Sequence, residues 1–281
     1  MNVTKYKLSN GLQLPIIGFG CDQLRQPEKR VREALDTGYR LFDSAVMYGN
    51  ETEVGAAIAK WLEEDPSRKR EHVMYQTKLL DSQQGLERAR KEIDASLRKV
   101  KALGYIDIFL IHSPQTNRDR RLGTYQALQE AVDSGKIKAI GVSNYGVHHL
   151  KELLEWDGLK YKPVVNQVEL NPWLQRQDIV TFCKEHDIHL EAYSPLTQAN
   201  LLDEGSISQL GQKYNLTPAQ VLIKWSVQNG FTPLPRSSTP KRIKENFGAV
   251  ASAEMSADDV QSLGDPNAYE YFDWDPTKYR G

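Results

Sequence analysis

The chain has 281 residues, 40% hydrophobic and 26% charged, and its 36 basic and 37 acidic side chains leave a formal net charge of -1. That length can bury a large core in one domain, and charge so balanced and interspersed gives no electrostatic footprint for nucleic acid or an anionic membrane. The two cysteines, Cys21 and Cys183, fit no metal-ligand spacing, no stretch approaches the roughly 18 apolar residues of a membrane span, and the N-terminus is polar, so we expect a soluble cytoplasmic protein with reduced thiols and no bound metal.

The chain opens with Tyr6-Lys7-Leu8-Ser9-Asn10-Gly11-Leu12-Gln13-Leu14, an Asn-Gly turn between alternating apolar residues. This is a strong hairpin signal, and the hairpin is expected to plug one end of the fold. A short apolar strand, a turn and a helix then repeat at intervals of very roughly thirty residues. Strands are predicted at Ile16-Gly20, Leu41-Asp43, Val73-Thr77, Ile106-His112, Ala139-Ser143, Val164-Val168, His189-Tyr193 and Thr232-Pro235. Helices are predicted at Pro27 to Thr37, from Asn50 through Ile58, Gln84 to Val100, Thr124 to Ser134, Val147 to Trp156 and Gln175 to His186. A further helix, Val221 to Gln228, is opened by a cap, an N1 proline and a capping-box glutamine in Thr217-Pro218-Ala219-Gln220.

Strict alternation of strand and helix implies parallel strands joined by right-handed crossovers. Eight such units most simply close into an α/β (β/α)8 barrel, one domain over residues 1–281, although an open doubly wound sheet remains possible. The Gly-x-Gly-x-x-Gly fingerprint does not open the first helix, which disfavours a Rossmann fold. Sites in such barrels lie at the C-terminal ends of the strands. Here those exits carry Asp43 with Tyr48, Lys78, His112, Ser143 with Asn144, Gln167, Tyr193 with Ser194, and Arg236 with Ser237.

With a hydride source above the carbonyl carbon, four of these residues could carry a carbonyl reduction without a metal. A phenol with an ordinary pKa of about 10 is a poor proton donor at neutral pH. An ammonium beside it stabilises the phenolate, so Lys78 is expected to lower the Tyr48 pKa while Asp43 holds Lys78 charged and in place. Tyr48 would then protonate an alkoxide as it forms, and a neutral His112 would orient the carbonyl by donating an N–H. Taken singly, Lys78 reads more readily as a solvated strand end and His112 as a satisfied turn histidine; their joint occurrence at strand exits favours chemistry.

The motifs Phe42-Asp43-Ser44-Ala45, Tyr48-Gly49-Asn50-Glu51, Thr77-Lys78, Ile111-His112-Ser113-Pro114, Gly141-Val142-Ser143-Asn144, Asn166-Gln167-Val168-Glu169 and Ala192-Tyr193-Ser194-Pro195-Leu196 stand in unbroken order from about Gly11 to Phe247. Together they resemble the aldo-keto reductase superfamily. The resemblance implies a catalytic tetrad of Asp43, Tyr48, Lys78 and His112, with Tyr48 as general acid. It implies that Ser143, Asn144 and Gln167 hydrogen-bond a nicotinamide carboxamide, that Tyr193 stacks under the nicotinamide ring, and that Ser194, Leu196 and the loop to Ser206 strap the pyrophosphate. It also implies an adenosine 2'-phosphate site over Pro235 to Asn246, with Arg236, Ser237, Ser238, Thr239 and Arg242 around the phosphate and Glu245 and Asn246 near the adenine. That segment stands on its own physics too, because arginines and hydroxyls at a helix N-terminus favour a phosphate. NADPH is therefore expected over NADH.

The sequence departs from the family around the carbonyl, where tryptophans common in relatives that prefer apolar aldehydes are replaced by Asp22 and Ser113, and the third strand exit offers Leu79-Leu80. A wider, more polar substrate pocket is expected. The loop Gln115 to Arg121 adds Arg118, Arg120 and Arg121, either to meet an anionic substrate or as a solvated loop. Aromatic character is expected to return from the short tail through Tyr269, Tyr271, Phe272, Trp274 and Tyr279. The predicted reaction is NADPH-dependent reduction of small aldehydes, α-keto esters or amides, dicarbonyls or sugar-derived carbonyls, by a monomer or weak dimer. Two other readings stay open: a cofactor-binding regulatory subunit without turnover, and a phosphate-binding barrel isomerase or lyase.

Overall fold

The structure, a computed structural model, describes residues 5–272 and 274–281. The hairpin pairs β1 (Lys5–Lys7) with β2 (Gln13–Pro15) antiparallel. Its turn is tied by Leu8 N–H to Leu12 O at 2.9 Å, with Gly11 at φ +90°, where a side chain would be strained. Eight parallel strands follow: β3 (Phe19–Gly20), β4 (Leu41–Asp43), β5 (Met74–Leu79), β6 (Ile106–Ile111), β7 (Ile137–Ser143), β8 (Val165–Glu169), β9 (His189–Tyr193) and β10 (Thr232–Pro233). They pair strictly in chain order. No strand order reverses, so the doubly wound alternative is gone and the (β/α)8 barrel stands.

The seam between β10 and β3 is closed by Gly18 N–H to Pro233 O at 3.0 Å and Gly20 N–H to Pro235 O at 3.2 Å. These bonds run one way because prolines have no N–H to return. A Cβ at Gly20 would stand 2.8 Å from Leu234 O, so only glycine lets the two backbones approach here.

The helices are α1 (Pro27–Thr37), α2 (Glu51–Glu63), α3 (Leu86–Lys99), α4 (Arg118–Asp133), α5 (Val147–Leu154), α6 (Gln177–Glu185), α7 (Gly205–Tyr214), α8 (Pro218–Gln228), α9 (Pro240–Gly248) and α10 (Ala257–Ser262). α8 begins as its sequence predicts, with Thr217 Oγ1 accepting from Gln220 N–H and Gln220 Oε1 accepting from Thr217 N–H. Two expectations change. α4 starts six residues before Thr124, because Asn117 caps it by accepting from Arg120 N–H, so the arginines lie in its first turn and not in a loop. α7, which no sequence cue marked, is started by Glu204 accepting from Ser206 and Ile207 N–H.

Two apolar layers result. One, with Ile17, Phe42, Ile93, Phe109 and Leu128 among its members, fills the space between strands and helices. The other lies inside the barrel, where Leu41, Met74, Ile108, Leu110 and Val165 pack with Leu8 and Leu14 of the hairpin. The hairpin therefore caps the N-terminal end, and the opposite end is left to polar residues.

Candidate active site

Residues two apart on a strand share a face. On β5 the inward positions run Met74, Gln76, Lys78, from the apolar layer at the hairpin end toward the open end. The register sets Leu41 and Asp43 of β4 beside Met74 and Gln76, and Gln167 of β8 beside Glu191 of β9. A polar layer thus sits on top of the apolar one. Lys78 lies within β5, one residue past the predicted strand end, and is fully buried.

The Lys78 ammonium donates to Asp43 Oδ1 and Oδ2, each at 2.8 Å, to Ser44 O at 3.1 Å and to Tyr48 Oη at 3.1 Å. A buried charge needs this density of partners to offset its lost hydration. Burial works against the ammonium, yet Asp43 and Tyr48 outweigh it and hold the Lys78 pKa above its ordinary value. Tyr48 sits in a single turn after β4, ended by Gly49 at φ +66°. Its phenol pKa is raised, contrary to the expectation. Lys78 does act downward as anticipated, but burial exceeds it and Asp43 adds to the rise. The phenol is accordingly a firmly protonated donor.

His112 follows β6, and its ring lies edge-on to Tyr48 with centroids 5.9 Å apart. Burial, with the Lys78 charge adding to it, drives its pKa down to about 3, so the imidazole is neutral at physiological pH. Its Nδ1 is buried without a partner among the described residues. Trp274 meets the same imidazole in a T-shaped contact, with ring centroids 6.2 Å apart. Of the tail aromatics, Trp274 is the one whose ring meets His112, while Tyr269 donates to Asp275 and Tyr271 is exposed.

Beside this cluster, Asn144, in the left-handed region at φ +62°, donates to His112 O at 3.0 Å and to Ser143 Oγ at 3.2 Å. Tyr193 Oη donates to Asn144 Oδ1 at 2.9 Å and Ser143 Oγ donates to Gln167 O at 2.8 Å. Ser194, Thr197, Gln198 and Ala199 all have positive φ. Such conformations cost about 1 kcal/mol or more each and cluster at ligand clamps. Leu196 between them packs on the core. Farther along, α9 begins with Pro240 and no side-chain cap, leaving its first N–H groups free of a side-chain acceptor. Arg236 and Arg242 are exposed there, and neither forms a salt bridge among the described residues. Ser237 Oγ accepts from Thr239 N–H, Ser238 Oγ accepts from Arg25 N–H, Asn246 is buried, and Glu245 meets Lys241 at 3.6 Å. This end has what a dinucleotide phosphate needs: unused helix N–H groups and forked cations.

The proposed substrate side differs from its sequence reading. Ser113 is fully buried and donates to Asp81 Oδ1 at 2.7 Å, and Leu79 is buried in the layer between strands and helices. Both side chains are enclosed by the protein. Arg120 donates to the carbonyls of Gln84, Asp81 and Ser82, and buried Arg121 forms a two-pronged pair with Glu152 at 2.9 Å per prong. These two arginines staple α4 and are neither a solvated loop nor free to meet an anion. Asp22 is half-buried; burial raises its pKa while Lys78 and Arg236 pull it down, so it lies in the field of the Lys78 ammonium.

Two inward-facing residues escaped sequence reading. Gln76 Nε2 donates to Asp43 Oδ1 at 2.8 Å and to Glu191 Oε2 at 2.7 Å, and Gln167 Nε2 does the same at 3.0 and 2.9 Å. The available signal was positional, since Gln76 precedes Lys78 by two and Glu191 precedes Tyr193 by two.

A closed β/α barrel with a lysine-bridged phenol at its C-terminal mouth defines an oxidoreductase class, and the comparisons agree. The Aldo/keto reductase family model matches residues 22–265, and the chain belongs to that family, whose members generally use nicotinamide cofactors. Among its relatives, an uncharacterized oxidoreductase of Saccharomyces cerevisiae is 46% identical over 275 residues, covering 97% of each chain. A glyoxal reductase of Bacillus subtilis is 36% identical over 260 residues, covering 92% of this chain and 90% of that one. An aldo-keto reductase structure from a Medee basin deep-sea metagenome library superposes with a TM-score of 0.84 at 37% identity, over 92% of this chain and 94% of that one.

Proposed function

We propose that this protein is an NADPH-dependent reductase of aldehydes or ketones, with Tyr48 as the general acid, carried by one barrel domain over residues 1–281. The observation that carries the reading is the Asp43–Lys78–Tyr48 chain, in which an ammonium bound to both carboxylate oxygens also touches the phenol at 3.1 Å. NADPH, when bound, supplies a hydride to the carbonyl carbon. Charge then builds on the carbonyl oxygen. His112, neutral because of its burial, orients that oxygen by hydrogen-bond donation, and Tyr48 passes its proton to the alkoxide. As the phenolate forms, Lys78 stabilises it and Asp43 keeps Lys78 in line. A phenol that holds its proton firmly suits this direction, since an alkoxide is the stronger base.

Ser143, Asn144 and Gln167 are the residues to hold the nicotinamide carboxamide, and Tyr193 the ring to support its face. Ser194 and Leu196 belong to the strap over the pyrophosphate, while Arg236, Ser237, Ser238, Thr239 and Arg242 would bind the 2'-phosphate and Glu245 and Asn246 the adenine. Asp22 and Trp274 wall the substrate side, and Ser113 acts from behind by fixing Asp81. A half-buried acid and one aromatic, with Arg120 and Arg121 already engaged, suit small neutral carbonyls with adjacent polar groups. The name of the Bacillus subtilis relative leans the same way, toward dicarbonyls. The two cysteines are buried free thiols, which suits a reducing cytoplasm.

The test is loss of NADPH absorbance against glyoxal-type dicarbonyls, α-keto esters and amides, aromatic aldehydes and open-chain sugars, with NADH in parallel. Dicarbonyl turnover with NADPH preference is expected. NADPH binding with no turnover on any member would overturn the enzymatic reading.

A further inference from the structure

The layer beneath the reacting groups holds a second carboxyl. Glu191 is fully buried, and the amide nitrogens of Gln76 and Gln167 each divide their two N–H groups between Glu191 Oε2 and Asp43 Oδ1. Asp43 therefore takes its second-layer bonds from amides whose orientation Glu191 sets. The same bonds consume both donors of Gln167, leaving its Oε1 as the group that can accept from a carboxamide.

Two atoms in this layer are buried without partners among the described residues, and they are Glu191 Oε1 and Gln76 Oε1. Both are acceptors if Glu191 is ionised. Buried polar atoms are rarely orphaned, and each unmade bond is expensive. The two side chains already meet, Gln76 Nε2 donating to Glu191 Oε2 at 2.7 Å, so a proton on Glu191 Oε1 would supply the donor that the Gln76 amide oxygen lacks.

We propose that Glu191 is a positioning residue that works as a neutral carboxylic acid, donating from Oε1 to Gln76 Oε1 and aligning both glutamine amides on Asp43. The proposal rests on the Asp43–Lys78–Tyr48 reading above. Charge supports it. The charged groups bearing on Glu191 are Asp43 from β4 and Lys78 from β5, and its partners in register, Gln167 on β8 and Thr232 on β10, are neutral. One ammonium cannot neutralise two carboxylates, and Asp43 holds it with both oxygens. Burial first, then the Asp43 charge, push the Glu191 pKa up to about 7. Above that pH a second negative charge would compete for Lys78 and weaken its hold on the Tyr48 phenolate.

Glu191→Gln reproduces the neutral acid, with an amide N–H in place of the O–H, and Glu191→Leu removes every polar atom. We expect E191Q to keep kcat within about threefold of wild type at pH 6 and to hold it from pH 7 to 9, where wild type declines. E191L should lose tenfold or more in kcat, with its NADPH Kd, read by fluorescence, moving much less because the adenosine end is untouched. Difference infrared spectra of the intact protein at pH 6 should show a protonated-carboxyl C=O stretch that E191Q lacks. E191Q as impaired as E191L at every pH, or E191L equal to wild type, would overturn the proposal. Should E191L not fold, the E191Q pH profile and the infrared band decide. Tyr48→Phe is run alongside, since a fully active Y48F would sink the underlying reading, whereas an inactive Y48F beside an unaltered E191L sinks this one alone.

Discussion

At the scale of single residues, the site turns on how burial and charge compete over one phenol. Lys78 alone would ease the loss of the Tyr48 proton, but desolvation raises the pKa more than the ammonium lowers it. The phenol therefore gives its proton only to a strong base, and an alkoxide is one. Tyr48→Phe should lower kcat by on the order of a hundredfold or more, the scale of general acid catalysis, while NADPH affinity stays near wild type. Steady-state turnover beside fluorescence-titrated NADPH binding checks this, and an undiminished rate would remove Tyr48 from its role. The types and spacing of Asp43, Tyr48, Lys78 and His112 were legible in the sequence because strand exits are marked by turns. Gln76 and Glu191 were not, because a polar residue inside a strand reveals which face it occupies only once the register is known.

Among elements, α9 has the clearest assignment to test. Its first turn carries Pro240 and Arg242 and has no side-chain cap, Arg236 lies shortly before it, and neither arginine forms a salt bridge among the described residues. A charge-assisted hydrogen bond contributes about 1.5–3 kcal/mol, roughly ten- to a hundredfold in affinity. The double variant Arg236→Ala with Arg242→Ala should thus weaken NADPH by at least tenfold and NADH by no more than about twofold, measured as paired Kd values. Equal losses would mean that these arginines do not read the 2'-phosphate. α4 shows the opposite case. Its sequence left open an anion site or a solvated loop, and the fold engages two of its three leading arginines internally, Arg120 with the carbonyls of Asp81, Ser82 and Gln84 and Arg121 with Glu152, while Arg118 is exposed.

For the whole molecule, two buried histidines and one half-buried one set the response to acid. Burial lowers the pKa of His112 to about 3, of His149 to about 3 and of His189 to about 4, against about 6.5 for the unfolded chain. With folded values depressed, the unfolded state takes up protons first as pH falls below about 6.5, and stability is lost toward the folded pKa values. For His112 this amounts to on the order of 2 kcal/mol at pH 5. Glu191 acts in the other direction. Its raised pKa makes the folded state bind the proton more tightly, so its contribution is full below about pH 4.5 and is lost as pH rises through about 7. Asp22, Asp81 and Asp107, whose pKa values burial also raises, act in the same direction as Glu191; the three histidines are expected to outweigh these acids, so Tm should fall between pH 7 and pH 5. A Tm that is unchanged or higher at pH 5 would contradict neutral burial of the three rings.

Strand–helix alternation, the hairpin, the caps of α8 and the residues proposed to react were legible in the sequence, because each depends on neighbours a few positions away. Tertiary structure alone decided that Gly18 and Gly20 close the barrel against Pro233 and Pro235, that Ser113 and Leu79 turn away from the mouth, that Trp274 returns to meet His112, and that Glu191 lies under Asp43. Those contacts join residues tens to hundreds of positions apart. Their geometry exists only once eight strands share one register, and local patterns carry no information about it.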